Sequence, residues 1–337
     1  MTTSSGAPVE VLAKSRKEGD SRATPPKDFV PQVYINGKIV PRTAATISVF
    51  DHGLLYGDGV FEGIRIYQVP GRDACRIFRL QEHIDRLYRS ASRIEVDLPG
   101  KLSPAAFKQA LLETVRANRD GILNPDPTKV VNYIRPVVTR GAGDLGINPK
   151  KCRSGATVII IVDHIDLYGA DAYSNGIPTI VCNTRRNNPM SLDGRIKSCN
   201  YLNNIIAVSE ANHAGVKEGI MLTLDGFVGE GTADNLFIIK DGAILTPPTN
   251  LGILAGITRG AVLELGARLD IPTKELLLTP KFLYTADEAF FTGTGAQIVP
   301  IVSIDGIPLG GGHPGPITRR LMEAFPSLVE KEEPIAL

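Results

Sequence analysis

A chain of 337 residues, 43% hydrophobic and 22% charged, has room for two domains sharing a core or for one large α/β domain, with the balance of an ordinary globular protein. Its formal net charge of +1 gives no reason to expect a nucleic acid or a membrane as partner, and no apolar run approaches the roughly 20 residues of a membrane span. Cys75, Cys152, Cys182 and Cys199 are scattered without Cys-x-x-Cys spacing, which points to reduced thiols in a cytoplasm and away from a disulfide framework or a metal site.

Residues 1–31 are rich in Ser, Thr, Pro, Lys and acidic side chains and are expected to be a disordered extension. Glu10, Glu18, Asp20 and Asp28 argue against a transit peptide, which is acid-poor. Asn36-Gly37 between two short apolar runs predicts a hairpin. Residues 80–95 place Leu80, Ile84, Leu87, Ala91 and Ile94 on one helical face. Ser103 and Pro104 open a second helix as cap and first-turn residue, and Gly121 is expected to close it. Residues 129–139 and 156–163 read as strands, the run 158–162 as a buried one. The stretch 166–175 is short, polar and turn-rich, and a flexible linker is placed over residues 164–172. It is expected to join a small N-terminal α/β domain (32–163) to a larger C-terminal domain (173–337).

Beyond this junction, residues 177–183 read as a strand and 200–214 as a helix ended by Gly215. Asp225-Gly226, Asp241-Gly242 and Asp305-Gly306 signal hairpins, and residues 258–269 and 316–325 helices, so the fold class is mixed α/β. Gly141 to Gly146 satisfies Gly-x-Gly-x-x-Gly behind a strand. Ile147-Asn148-Pro149 stands where a dinucleotide-binding helix would have to begin, so the segment reads as a mobile loop over a substrate pocket.

The chemistry concentrates in a few segments. Lys197 lies in Ile196-Lys197-Ser198-Cys199-Asn200-Tyr201, and Glu230 follows 33 residues later in Gly229-Glu230-Gly231-Thr232-Ala233-Asp234-Asn235. Alone, the lysine would be a solvated charge and the glutamate a turn carboxylate. Together, an amine just ahead of a helix and an acid in a glycine-rich corner are what a pyridoxal phosphate (PLP) site needs, one to bond the aldehyde and one to keep the ring nitrogen protonated. Gly256-Ile257-Thr258-Arg259 opens a helix whose free N–H groups suit a dianion. Arg86 shares a helix stripe with Glu82, Arg89 and Arg93, and spacing alone predicts an exposed pair with Glu82. Phe61 reads as core and Arg135 as a strand-edge charge.

These segments resemble the class IV (fold type IV) PLP-dependent aminotransferases over residues 32–325, and within them the branched-chain amino acid aminotransferases. The resemblance rests on the lysine and glutamate motifs, on Tyr56-Gly57-Asp58-Gly59-Val60-Phe61-Glu62-Gly63-Ile64-Arg65, on Phe78, His83, Arg86 and Leu87, on Tyr133-Ile134-Arg135-Pro136 and on Gly293-Thr294-Gly295-Ala296. It implies two α/β domains with the active site at their interface. It makes Lys197 the catalytic Schiff-base residue, Glu230 the partner of the pyridine nitrogen and Tyr201 the donor to the cofactor's phenolic oxygen. Arg86, Ile257, Thr258 and Thr294 would bind the cofactor phosphate. Tyr56 (from a neighbouring subunit) and Phe61 would line an apolar pocket, with Arg65, Gly295 and Ala296 on the substrate side and Arg135 receiving the side-chain carboxylate of glutamate. The implied substrates are an apolar L-amino acid and 2-oxoglutarate, and the implied assembly a homodimer or higher homo-oligomer.

Three departures bear on the subgroup. Ala255 stands where the family's phosphate segment has proline. Ala142 to Leu145 lack the Arg-x-His pair of D-amino acid transaminases, the nearest rival, with 4-amino-4-deoxychorismate lyases and R-selective amine transaminases behind it. The chain has no tryptophan, although residues 164–168 stand where branched-chain enzymes often carry one. A non-catalytic PLP-binding protein is the rival of a different class, and retention of both Lys197 and Glu230 argues against it.

Overall fold

Two β-sheets organise the computed structural model, which describes residues 29–124, 131–169 and 171–337. The expectations for residues 1–28 and for the start of the strand at Lys129 and Val130 lie outside the described residues. The first sheet holds β1 (Gln32–Ile35), β2 (Lys38–Pro41), β3 (Gly59–Phe61), β4 (Ile64–Gln68), β5 (Ala74–Ile77), β6 (Val131–Thr139) and β7 (Thr157–Ile165). The second holds β8 (Ile177–Val181), β9 (Gly219–Leu222), β10 (Val228–Gly231), β11 (Asn235–Lys240), β12 (Ala243–Thr246), β13 (Thr273–Glu275), β14 (Glu288–Gly293), β15 (Gln297–Ile304) and β16 (Ile307–Pro308). The last strand, β17 (Ile335–Ala336), returns to the first sheet and pairs antiparallel with β5.

The first sheet runs β17-β5-β4-β6-β7-β1-β2 with β3 beside β6, and its pairs are antiparallel. Asn36 (φ 47°) and Gly37 (φ 93°) both take positive φ, the turn that matches strand twist, and this sets the β1–β2 register. In the run 158–162, Val158, Ile160 and Val162 are buried while Ile159 and Ile161 are half-buried. The run is thus an alternating strand, as expected for an antiparallel sheet whose faces differ in cover. The Leu80–Arg93 helix buries Leu80, Ile84, Leu87 and Ala91 against this sheet, the face its spacing predicts. The Pro104–Ala117 helix is capped by Ser103 Oγ, which accepts from Ala106 N at 3.3 Å. It ends at Ala117, not at Gly121. The Asn118 side chain accepts from Gln32 N and donates to Gln32 O and Thr114 O, each at 2.8 Å, and so ties the helix end to β1. Gly121 falls inside a short following helix, Arg119–Leu123.

The second sheet runs β10-β9-β8-β15-β14-β11-β12-β13, with parallel pairs at β8–β9, β8–β15 and β12–β13. Both residues of Asp241-Gly242 and of Asp305-Gly306 have positive φ, whereas only Gly226 does in the third predicted hairpin. The helices Leu202–His213, Ile257–Arg268 and Pro316–Ala324 correspond to the predicted ones. Among the described residues no helix is long and apolar enough to cross a membrane.

Candidate active site

Lys197 lies in an irregular stretch laid along β3. Phe61 N donates to Lys197 O (3.0 Å) and Cys199 N to Gly59 O (2.8 Å), bridging Val60 to Ser198. Ser90 Oγ, on the Leu80–Arg93 helix, accepts from Lys197 N at 3.3 Å. The lysine backbone is therefore held by elements of the first sheet, although its own segment leads into a helix of the second. The amine stands between the two. Its Nζ is 3.3 Å from Tyr201 Oη and 4.7 Å from the centre of the Phe61 ring, which meets Tyr201 edge-on. The spacing suggests that Lys197 and Tyr201 share a helical face. Instead Tyr201 is the residue before the first turn of the Leu202–His213 helix, and a turn brings the two side chains together.

Glu230 lies in β10, buried and just past a register shift, and lines the same cleft as Lys197 and Tyr201. Its Oε1 pairs with Arg186 Nη2 at 2.7 Å, and its Oε2 accepts from Asn235 Nδ2 and Leu254 N, both at 3.1 Å. Burial pushes the Glu230 carboxyl above its ordinary value, and Arg186, the Leu254 N–H and Lys197 pull it back. Three donors thus surround the Glu230 carboxyl. Nothing in the sequence distinguishes Arg186 from its neighbour Arg185. Only the fold buries it, with its Nε unpartnered among the described residues.

The loop before the Ile257–Arg268 helix is clamped twice. Asn235 Nδ2 donates to Leu254 O at 2.8 Å, and Arg86 Nη1 donates to Ala255 O at 2.9 Å. A Cβ on Gly256 would stand 2.0 Å from Asn235 Oδ1, so the approach requires glycine. Ile257 and Thr258 then begin the helix, both buried, and no side chain caps its first-turn amides. Those amides form a place for an anion.

Arg86 is buried and does not pair with Glu82, which turns instead to Arg79. Its Nε and Nη2 donate to Glu62 Oε1 (2.5 Å) and Oε2 (2.9 Å), and His83 Nδ1 donates to Oε2 at 2.8 Å. The i,i+4 expectation fails because the partner comes from another element, just past β3. Burial opposes the Glu62 anion, but the Arg86 guanidinium and His83 outweigh it and hold the carboxyl far below its ordinary value. Burial in turn keeps His83 below its ordinary value, against the pull of Glu62. Replacing Glu62 by glutamine leaves a buried guanidinium without its counterion and should cost about 3–5 kcal/mol in denaturant unfolding. The sign with pH follows from the depressed value. Wild-type stability from this group is present above the ordinary carboxylate value of 4.5 and lost as pH falls below it, a loss that Glu62→Gln should not show.

The remaining sequence candidates divide. Arg65 Nη1 donates to Gly295 O at 3.0 Å, tying β4 to the Gly293-to-Ala296 turn between β14 and β15, where Thr294 also sits. Arg135 stacks on the Phe61 ring (4.8 Å) and the Tyr133 ring (5.4 Å). Its buried Nε has no partner, and no carboxylate pairs with it among the described residues. Tyr56 is not brought to the cleft. Its ring lies edge-on to His52 and its hydroxyl accepts from Gly146 N at 2.8 Å. The Gly141-to-Gly146 segment, expected over the pocket, is stitched to residues 50–56 through Gly143 N on Phe50 O, His52 N on Gly141 O and this tyrosine. No helix follows it directly, as expected; a short 3-10 turn, Pro149–Lys151, comes next.

An amine with a phenol beside it, a buried carboxylate in the same cleft and an uncapped helix start fit the aldehyde, ring nitrogen and phosphate of pyridoxal 5′-phosphate. Fold and site together define a PLP enzyme of fold type IV. The sequence carries the amino-transferase class IV signature over residues 59–304, and the chain belongs to that family. It is 45% identical over 302 residues to the putative branched-chain-amino-acid aminotransferase of Methanocaldococcus jannaschii, covering 89% of this chain and 97% of that one. The Escherichia coli branched-chain amino acid aminotransferase crystal structure superposes with a TM-score of 0.83 at 35% identity, covering 90% of this chain and 97% of that one. The branched-chain amino acid aminotransferase of Thermobaculum terrenum, in its PLP-bound holo form, gives a TM-score of 0.78 at 30% identity, over 90% and 95%.

Proposed function

We propose that this aminotransferase moves an amino group between an apolar, branched-chain L-amino acid and 2-oxoglutarate. Bound PLP supplies an aldehyde and an electron-accepting ring. Lys197 bonds that aldehyde and, once released, moves the proton between the substrate Cα and the cofactor C4′. Glu230, held by Arg186, keeps the ring nitrogen protonated, and Tyr201 donates to the phenolic oxygen. The amides of Ile257 and Thr258, with Thr294 and Arg86, hold the phosphate. Phe61 forms an apolar wall, and Arg65 supports the Gly295–Ala296 turn against which the substrate carboxylate rests.

Arg135 carries the substrate reading. A guanidinium with no carboxylate partner among the described residues, lying on the Phe61 and Tyr133 rings, offers one place for the second carboxylate of glutamate. Arg135→Ala should therefore lower the glutamate half-reaction about 10- to 100-fold, the loss of one charged hydrogen bond of roughly 1.5–3 kcal/mol, and leave the leucine half-reaction nearly unchanged. Equal losses for both donors would make Arg135 a support of the fold or the cofactor.

The proposal includes a homodimer. Leu54 (61% exposed), Ile147 (83%) and Leu202 (68%) leave apolar side chains open, and a second copy would cover them and give Tyr56 and the Gly141-to-Gly146 loop a neighbouring pocket to line. It also keeps the division at residues 164–172 and places the protein in the cytoplasm, in keeping with four free cysteines.

A further inference from the structure

Beside the Glu230 corner, two buried carboxyl groups share one phenol. Tyr168 Oη lies 2.6 Å from Asp234 Oδ2 and 3.1 Å from Glu218 Oε2, and all three residues are buried. No cation pairs with either acid among the described residues. A phenol has a single hydrogen and can donate to only one of them, so the other must bring the hydrogen for its own contact. The two acids differ in a way that decides which. Glu218 Oε1 accepts the N–H groups of Thr232 (2.5 Å) and Gly219 (3.1 Å), whereas its Oε2 meets only Tyr168. Asp234 takes the shorter phenol bond and feels the Lys197 ammonium.

We propose that Glu218 carries a proton on Oε2 and donates it to Tyr168 Oη, which donates in turn to the Asp234 carboxylate, and that this chain positions the β7–β8 connector as a wall of the substrate pocket. Tyr168 belongs to that connector, and Lys217 Nζ fixes its carbonyl at 2.8 Å. Its neighbour Leu167 packs over the Gly293-to-Ala296 turn: a Cβ on Gly295 would stand 2.7 Å from Leu167 Cδ1. Asp234 holds the other side of the same turn, its Oδ1 only 1.8 Å from where a Cβ on Gly293 would be. Asp234 also directly precedes Asn235, the residue that steadies Glu230. Tyr168 is thus a positioning residue. The effect on substrate rests on the Gly295 turn being the substrate side, as proposed above.

The charges around the cluster agree. Burial, reinforced by Asp234, pushes the Glu218 carboxyl up to about 7. Burial raises Asp234 too, but the Tyr168 hydrogen bond and Lys197 pull it back. Glu230 and Lys197 face the pair from the cleft, Tyr173 from the following helix, and Cys182 from the far side of Glu218. A carboxyl whose folded value lies above its ordinary 4.5 favours the fold fully below that pH and loses its contribution as pH rises toward about 7.

Glu218→Gln tests this, because the amide donates to Tyr168 with no proton to lose, and Tyr168→Phe breaks the chain. The PLP-loaded proteins are compared over about pH 5 to 9 by thermal melting and by steady-state kinetics with L-leucine. In wild type, the melting midpoint should fall between the ordinary and the raised carboxyl values. KM for leucine should rise about 2- to 10-fold over the same range, one hydrogen bond's worth, with kcat little changed. Glu218→Gln should flatten both profiles, and Tyr168→Phe should hold KM high at every pH. A Glu218→Gln protein that keeps the wild-type pH profile, or that fails to fold, would overturn the proposal, as would a Tyr168→Phe protein equal to wild type. The melting profiles read the cluster without substrate, so a wrong substrate assignment leaves that arm intact.

Discussion

Replacing Lys197 by alanine is expected to abolish turnover, a loss of at least ~10⁴-fold or ~5 kcal/mol, and to remove the visible absorbance band of lysine-bound cofactor. Two proposed roles vanish with one amine, the bond to the cofactor and the transfer of the Cα proton. Among the described residues Lys197 is the only lysine lining the cleft. The fold should survive, because the side chain makes one hydrogen bond, to Tyr201, while the backbone carries the contacts to Phe61 and Ser90 that join the two sheets. Turnover, the cofactor spectrum and a thermal melt of the same preparation check all three statements. Normal transaminase rates in this variant would remove the assignment of the lysine.

The second large effect is at Glu230. Glu230→Gln should slow the Cα proton transfer by roughly 100-fold or more, a few kcal/mol of transition-state stabilisation. A neutral amide cannot keep the ring nitrogen protonated, so the electron sink weakens. Glutamine retains an oxygen for Asn235 Nδ2 and Leu254 N, and the loop before the Ile257–Arg268 helix should hold its shape. Arg186 loses its buried counterion, which adds a stability cost and makes a melting curve the necessary control. Half-reaction rates at the wild-type level, measured in one stopped-flow series, would show that another group serves the nitrogen.

What could be read from the sequence follows how local the determinants are. The Asn36-Gly37, Asp241-Gly242 and Asp305-Gly306 turns need only two residues able to take positive φ, so the dipeptides announce them. The buried face of the Leu80–Arg93 helix is a periodicity and is equally legible. Errors arise where a distant element decides. Arg86 has a plausible local partner in Glu82, but Glu62 approaches through tertiary packing and takes it, a contest that spacing cannot judge. The Pro104–Ala117 helix stops early because Asn118 reaches β1, 86 residues away in sequence. Arg186, Glu218 and Tyr168 carry no signal, since each acquires its meaning only from the burial of a partner. Even the lysine and glutamate gain their significance as a pair, matched to a family pattern, and not as single residues.

One cleft, lined by Lys197 and Glu230, is proposed to exchange amino groups through PLP. The most direct test mixes the PLP-loaded protein with excess L-leucine and no oxo acid and follows the cofactor spectrum. Complete conversion to the pyridoxamine form is predicted, with one equivalent of 2-oxo acid released, reversal on addition of 2-oxoglutarate and no conversion in Lys197→Ala. A spectrum unchanged by L-leucine and by L-glutamate, or one converted equally well in the Lys197→Ala protein, would contradict it.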